Sequence, residues 1–159
     1  MLINDFSVGP KLFVLFNLVF SVFSFYNVGT IWAHEVDIFR TWKLIGQKEF
    51  RDAQDKHSHK LPWRVLIPVG LSLLGCIVLI WYRPVNSPLW CLWGVPFCQI
   101  LALILTGAFW ERWQSHLADD PLGSKSPYLS RILKMDWVRT VLINASGLIL
   151  LVWTIIILT

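Results

Sequence analysis

Charge is what this sequence has least of. Only 15% of its 159 residues are Asp, Glu, Lys or Arg, against 55% hydrophobic ones. A soluble domain carries about a quarter charged residues, so the composition argues against an ordinary soluble globule. Cysteine is scarce as well. Cys76, Cys91 and Cys98 all fall in apolar stretches, and no two of them form a Cys-x-x-Cys pair. That argues against a thiol–disulfide enzyme and leaves the three as small buried hydrophobes. Missing too are a glycine-rich phosphate loop, a Gly-x-Ser-x-Gly elbow and a haem-attachment motif. No basic leader with a small-residue cleavage site is expected, and no internal repeat is visible.

What is present is apolar length. Four stretches carry no charged side chain: Leu12 to Ala33, Val65 to Tyr82, Pro84 to Trp110 and Thr140 to Thr159. Crossing a bilayer takes about 20 residues. The pattern predicts spans over 12–33, 65–82, 89–110 and 140–158, in a single transmembrane domain. Ten Trp and ten Phe strengthen this, since Trp favours the bilayer interface. Short connections predict an all-α, antiparallel four-helix bundle. Ser87-Pro88 and Ser126-Pro127 each read as a helix cap followed by proline at the first helical position. The run Asp119-Asp120-Pro121-Leu122-Gly123 reads as a stop and turn.

The few charges are unevenly placed. Segment 34–64 holds seven Lys or Arg and segment 111–139 holds five, twelve of the fourteen in the chain. The positive-inside rule makes these segments cytoplasmic and puts both termini outside. Nine of the ten acids and all four histidines share that face, so any acid–base chemistry belongs there. Because acids interleave with the bases, nucleic acid is an improbable partner and anionic lipid a simpler one. Within 36–56, Phe39, Trp42, Ile45, Phe50 and Ala53 recur at helical spacing. They predict an amphipathic helix that lies along the membrane, continues the first span, or packs on the bundle's end.

Polar residues inside the spans form stripes. At 100° per residue, Asn17, Ser21, Ser24, Asn27 and His34 fall within about 140°. Gln99, Thr106, Trp110 and Trp113 share a face of the third span, and Thr140, Asn144 and Gly147 one of the fourth. Intramembrane polar groups turn inward for partners. They either bond helix to helix or line a pocket capped by His34, Glu35, Glu111 and Arg139. His34-Glu35 lacks the second histidine of a zinc-protease helix, with Ile38 in its place. His57, His59 and His116 stand at no ligand spacing, so no metal and no cofactor is expected.

The stretches FRDAQDKHSHKLPW, before span two, and SPYLSRILKMDWVRT, leading into span four, together with Trp137, Arg139 and Thr140, resemble the anthrone-oxygenase-like family of small four-span membrane proteins. Most members of that family have no assigned function. The resemblance implies oxidation of a polycyclic anthrone at an activated methylene, without metal or flavin. Such chemistry needs a base beside a carbonyl carbon acid, a donor for the enolate oxygen and an apolar pocket. By chemistry and position, and not by the resemblance, His34 is the expected base and Asn27, Gln99 or Asn144 the expected donor. Trp32 and Trp110 would be walls, with Thr106 and Arg139 at the substrate. The competing expectation is a non-catalytic accessory, assembly or lipid-binding protein, which would offer a seam to a membrane partner or to a second copy. A transporter is disfavoured, because the spans carry no charge for an ion path.

Overall fold

The computed structural model describes residues 10–84 and 87–159. Helix α1 (Pro10–Ala33) runs on through a π-helical turn (His34–Ile38) and further short turns to Leu44. Helix α2 is Phe50–Ser58. A second π turn (Pro62–Leu66) leads into α3 (Ile67–Trp81). Helix α4 (Leu89–Leu105) passes through a third π turn (Thr106–Trp110) into α5 (Glu111–Asp119), and α6 is Pro127–Leu158. Four of these rods are long and apolar enough to span a membrane: Lys11–Leu44, Pro62–Trp81, Leu89–Asp119 and Pro127–Leu158. The architecture is an all-α four-helix bundle.

The rods pack in a ring. α1 touches α3 and α6, while α4 touches α6 and, more lightly, α3. At the end where α1 starts and α6 finishes, the core is apolar and filled by Phe13, Cys76, Leu79, Leu92, Val95, Leu150 and Trp153. α1 and α3 meet closely at Gly75, where a Cβ would overlap the Phe20 ring. Midway, Gln99 Nε2 donates to Ser72 Oγ (2.9 Å) and Ser146 Oγ (3.0 Å). Asn17 Oδ1 accepts from Thr154 Oγ1 at 2.9 Å. These bonds tie all four rods together without charge, as polar residues in membranes commonly do.

The opposite end has its own core of Phe39, Trp42, Phe50, Trp110, Leu117, Leu129 and Ile132. Here the helices run past their charge-free stretches. α6 begins at Pro127 rather than near Thr140, because a missing charge marks what lipid tolerates and not where backbone hydrogen bonds stop. Ser126 caps α6 as expected, its Oγ accepting from Tyr128 N at 3.1 Å. Asp120 closes the preceding turn, accepting from Ser126 Oγ (2.6 Å) and Leu122 N (2.9 Å). Those two donors, the hydroxyl first, hold its carboxyl below the usual carboxylate range. Gly123 follows at φ +53°, a left-handed position that suits glycine.

Two expectations are corrected. Ser87 does not cap α4. Its N–H turns back to Pro84 O, and Pro88 takes the cap position, its carbonyl accepting from Cys91 and Leu92 N–H. Segment 36–56 is not one helix. Residues 36–44 continue α1, the backbone turns extended at Ile45 (ψ 133°), and α2 starts afresh at Phe50. α2 packs on the bundle's end through buried Phe50 and Gln54, whose Nε2 donates to Gln114 O at 2.8 Å.

Candidate functional site

Each of the three π turns opens on a residue that disturbs the helix's own hydrogen bonding. His34 opens the first, and its ring Nδ1 lies 2.7 Å from Thr30 O. Thr106 opens the third, and its Oγ1 donates to Ala102 O at 2.7 Å. In both, a side chain competes for the carbonyl four residues back, which bends or widens a helix. Pro62 opens the second and has no N–H to offer. The widened turns face one space. His34, Pro62, Val65, Leu66, Thr106 and Trp110 all line a cleft of about 520 Å³.

The cleft lies between the first turns of α3 and the α4–α5 rod, and α1 and α6 form its back. Asn27, Ile31, Val69, Ala102 and Ile143 supply apolar depth and one amide, while Asp55, Glu111, Gln114 and Arg139 bring polarity. Ligand pockets typically measure about 300–1,000 Å³ and are mostly apolar with few polar groups, so the size and lining suit a small hydrophobic molecule.

His34 is 6% exposed. A carbonyl can only accept, so Nδ1 carries the proton in the bond to Thr30 O, and in the neutral ring Nε2 is the acceptor. Nε2 is buried and has no hydrogen-bond partner among the described residues. The ring meets His57 edge-on at 5.2 Å and Phe39 at 5.6 Å. His57, on α2, also lies 5.1 Å from the Trp42 ring. Burial first, then the neighbouring His34 and Arg64, push its pKa down to about 4.

Beside this pair lies a buried ionic group. Asp136 is fully buried and Glu35 is 1% exposed. Arg139 Nη2 stands 2.6 Å from Asp136 Oδ1, a close ion pair whose N–H is not aligned with the oxygen. Its guanidinium also lies 5.3 Å from the Trp110 ring centre, within cation–π range. Arg40 reaches Glu35 twice, Nη2 at 3.5 Å from Oε1 and Nε donating to the Glu35 carbonyl at 3.1 Å. Asp136 Oδ2 and Glu35 Oε2 have no hydrogen-bond partner among the described residues. Asp136 and Arg139 lie on the α6 rod just ahead of its charge-free stretch from Thr140.

The cleft brings together His34, Asn27, Thr106, Trp110 and Arg139. Gln99 is engaged in the Ser72–Ser146 node instead. Asn144 bonds Thr140 O (2.7 Å) and the Trp32 indole (3.2 Å), and Trp32 is exposed, packing edge-on against Trp137. None of the three, Gln99, Asn144 or Trp32, lines the cleft. Sequence reasoning passed over His57 as a neighbour of His34 and Asp136 as the partner of Arg139. The latter spacing, three residues on one helix, was a legible signal. Among the described residues, no group of three or more His, Cys, Asp or Glu is arranged to hold a metal ion. No family description, characterised protein or solved structure matches this chain.

Proposed function

We propose that this protein is a membrane-embedded enzyme of the anthrone-oxygenase-like kind, acting on a hydrophobic carbon acid in the cleft. The observation that carries this is His34. Its ring is buried, Thr30 O holds its Nδ1, its Nε2 has no hydrogen-bond partner among the described residues, and the residue lines an apolar cavity. Those are the properties of a general base. Arg139, lining the same cleft, is the group for the developing enolate oxygen, and Asn27 is a neutral alternative. The substrate methylene becomes a carbonyl, one oxygen atom of O₂ entering the product and the other leaving as water with the two hydrogens removed. His34 takes the first of those protons.

The cation-rich segments 34–64 and 111–139 support a cytoplasmic location for the cleft, with both termini outside. One observation favours the competing non-catalytic lipid-binding or accessory role: the His57 ring shelters His34. Oxygen uptake decides between them. The purified protein in detergent is presented with anthrones, quinols and hydrophobic phenols, alongside His34→Ala and His34→Gln. Loss of about 10²–10⁴-fold in both variants is expected, the range for removing a general base. Uptake that survives in both would sink the catalytic role of His34.

A further inference from the structure

A second hollow of about 290 Å³ adjoins the cleft. Thr30, His34 and Leu61 line both spaces, so the two meet at the His34 side chain. Their chemistry differs. The cleft's polar rim mixes Asp55 and Glu111 with Arg139. The hollow is lined by His57, Lys60 and Arg64 and by no acid among the described residues. Lys60 and Arg64 are exposed and make no ion pair among the described residues. His57 adds a further buried nitrogen, Nε2, that also lacks a partner among them. An apolar chamber and a basic one thus share a buried, unsatisfied imidazole.

From this juxtaposition we propose that the ligand is an anionic amphiphile, its apolar body in the cleft and its carboxylate-like group at Lys60 and Arg64. This rests on the cleft being the ligand site of the proposed function and names the class of molecule that enters it. A ligand so placed passes its middle across His34, with the charged end clear of the reacting carbon. Two neighbouring cations attract a carboxylate more strongly than either does alone. A neutral analogue would lose that attraction and keep the apolar burial.

The test uses the full chain in phosphatidylcholine nanodiscs. Binding of anthracene-9-propionate and of its methyl ester is read by quenching of tryptophan fluorescence. Partitioning into lipid is the same for every protein variant, so it cancels when acid-to-ester affinity ratios are compared. The ratio should fall about tenfold in Lys60→Gln/Arg64→Gln, the size of one charge-assisted contact, while ester affinity holds. Both substitutions sit at exposed positions, and Lys60→Arg/Arg64→Lys should keep the wild-type ratio. Equal ratios in wild type and the neutral variant would overturn the proposal, as would saturable binding of neither probe. Replacing a third of the phosphatidylcholine by phosphatidylglycerol separates the two sources of an anion. A difference in ratio between wild type and the neutral variant that persists in this lipid supports a free amphiphile, and one that vanishes assigns the hollow to a lipid headgroup and overturns the inference. Oxygen uptake plays no part here. A binding protein that turns nothing over can pass, and an enzyme that prefers neutral anthrones fails without harm to the proposed reaction.

Discussion

At the scale of single residues, the buried polar end of this bundle turns on which groups find partners. Arg139 is the case with a measurable cost. It stands against fully buried Asp136 and over the Trp110 ring. A buried ion pair contributes little net stability compared with apolar replacements, but breaking one by removing a single partner costs about 3–5 kcal/mol. Arg139→Met should therefore destabilise the protein by about that much, as Asp136 is left uncompensated. Arg139→Met/Asp136→Leu should recover most of the loss. Unfolding midpoints in a denaturing-detergent titration would check this. A double variant no better than the single one would show that the pair's environment, rather than its charge, matters. The i, i+3 spacing of Asp136 and Arg139 was readable in the sequence. Their depth was not, because burial here depends on α1 and α4 packing over that turn of α6.

At the scale of elements, α2 is the piece that the sequence described least well. Its apolar positions showed helical spacing, yet they could not distinguish a surface helix from a docked one. Both offer an apolar face to something that is not water. In the structure Phe50, Gln54 and His57 dock it. His57 makes that docking sensitive to pH. Its pKa of about 4 in the fold lies below the ordinary 6.5, so the undocked form binds a proton more readily. Docking is at full strength above about pH 6.5 and weakens as pH falls from there towards 4. Hydrogen exchange of α2 amides, corrected for the intrinsic rate, should quicken across that window relative to α6. His57→Phe should flatten the response. An unaltered slope in the variant would place the titration elsewhere. The π turns tell a similar story. Thr106 and His34 have the chemistry to steal a carbonyl from the helix, but many such residues do not, and only the finished helix reveals which did.

At the scale of the whole molecule, the four rods and their antiparallel order follow from apolar length and short loops. The proposed sidedness rests on charge. Twelve of fourteen Lys and Arg lie in the two segments at one end. Single-cysteine variants, made where the native Cys76, Cys91 and Cys98 are replaced, test it with a membrane-impermeant maleimide on intact cells. Thr159→Cys should label, while Lys43→Cys and Lys125→Cys should stay protected until the membrane is opened. The opposite pattern would invert the topology and move the cleft to the outer face.

Some of this protein was determined by the sequence alone. The bilayer needs long charge-free segments, so spans, bundle class and polar end are written in local composition. Ser126 capping and the Asp119–Gly123 stop are equally local, since each depends on a side chain reaching its own backbone. The tertiary structure decided what depends on helix rotation and on distance between rods. It took Gln99 into a node with Ser72 and Ser146, turned Trp32 and Asn144 to one another on an outer flank, and set His57 against His34. It also opened the cleft, where the widened turn before α3 faces the α4–α5 rod. Rotation about a helix axis changes no local hydrogen bond. It is chosen only when all four faces pack at once, and the linear order of residues does not display that choice.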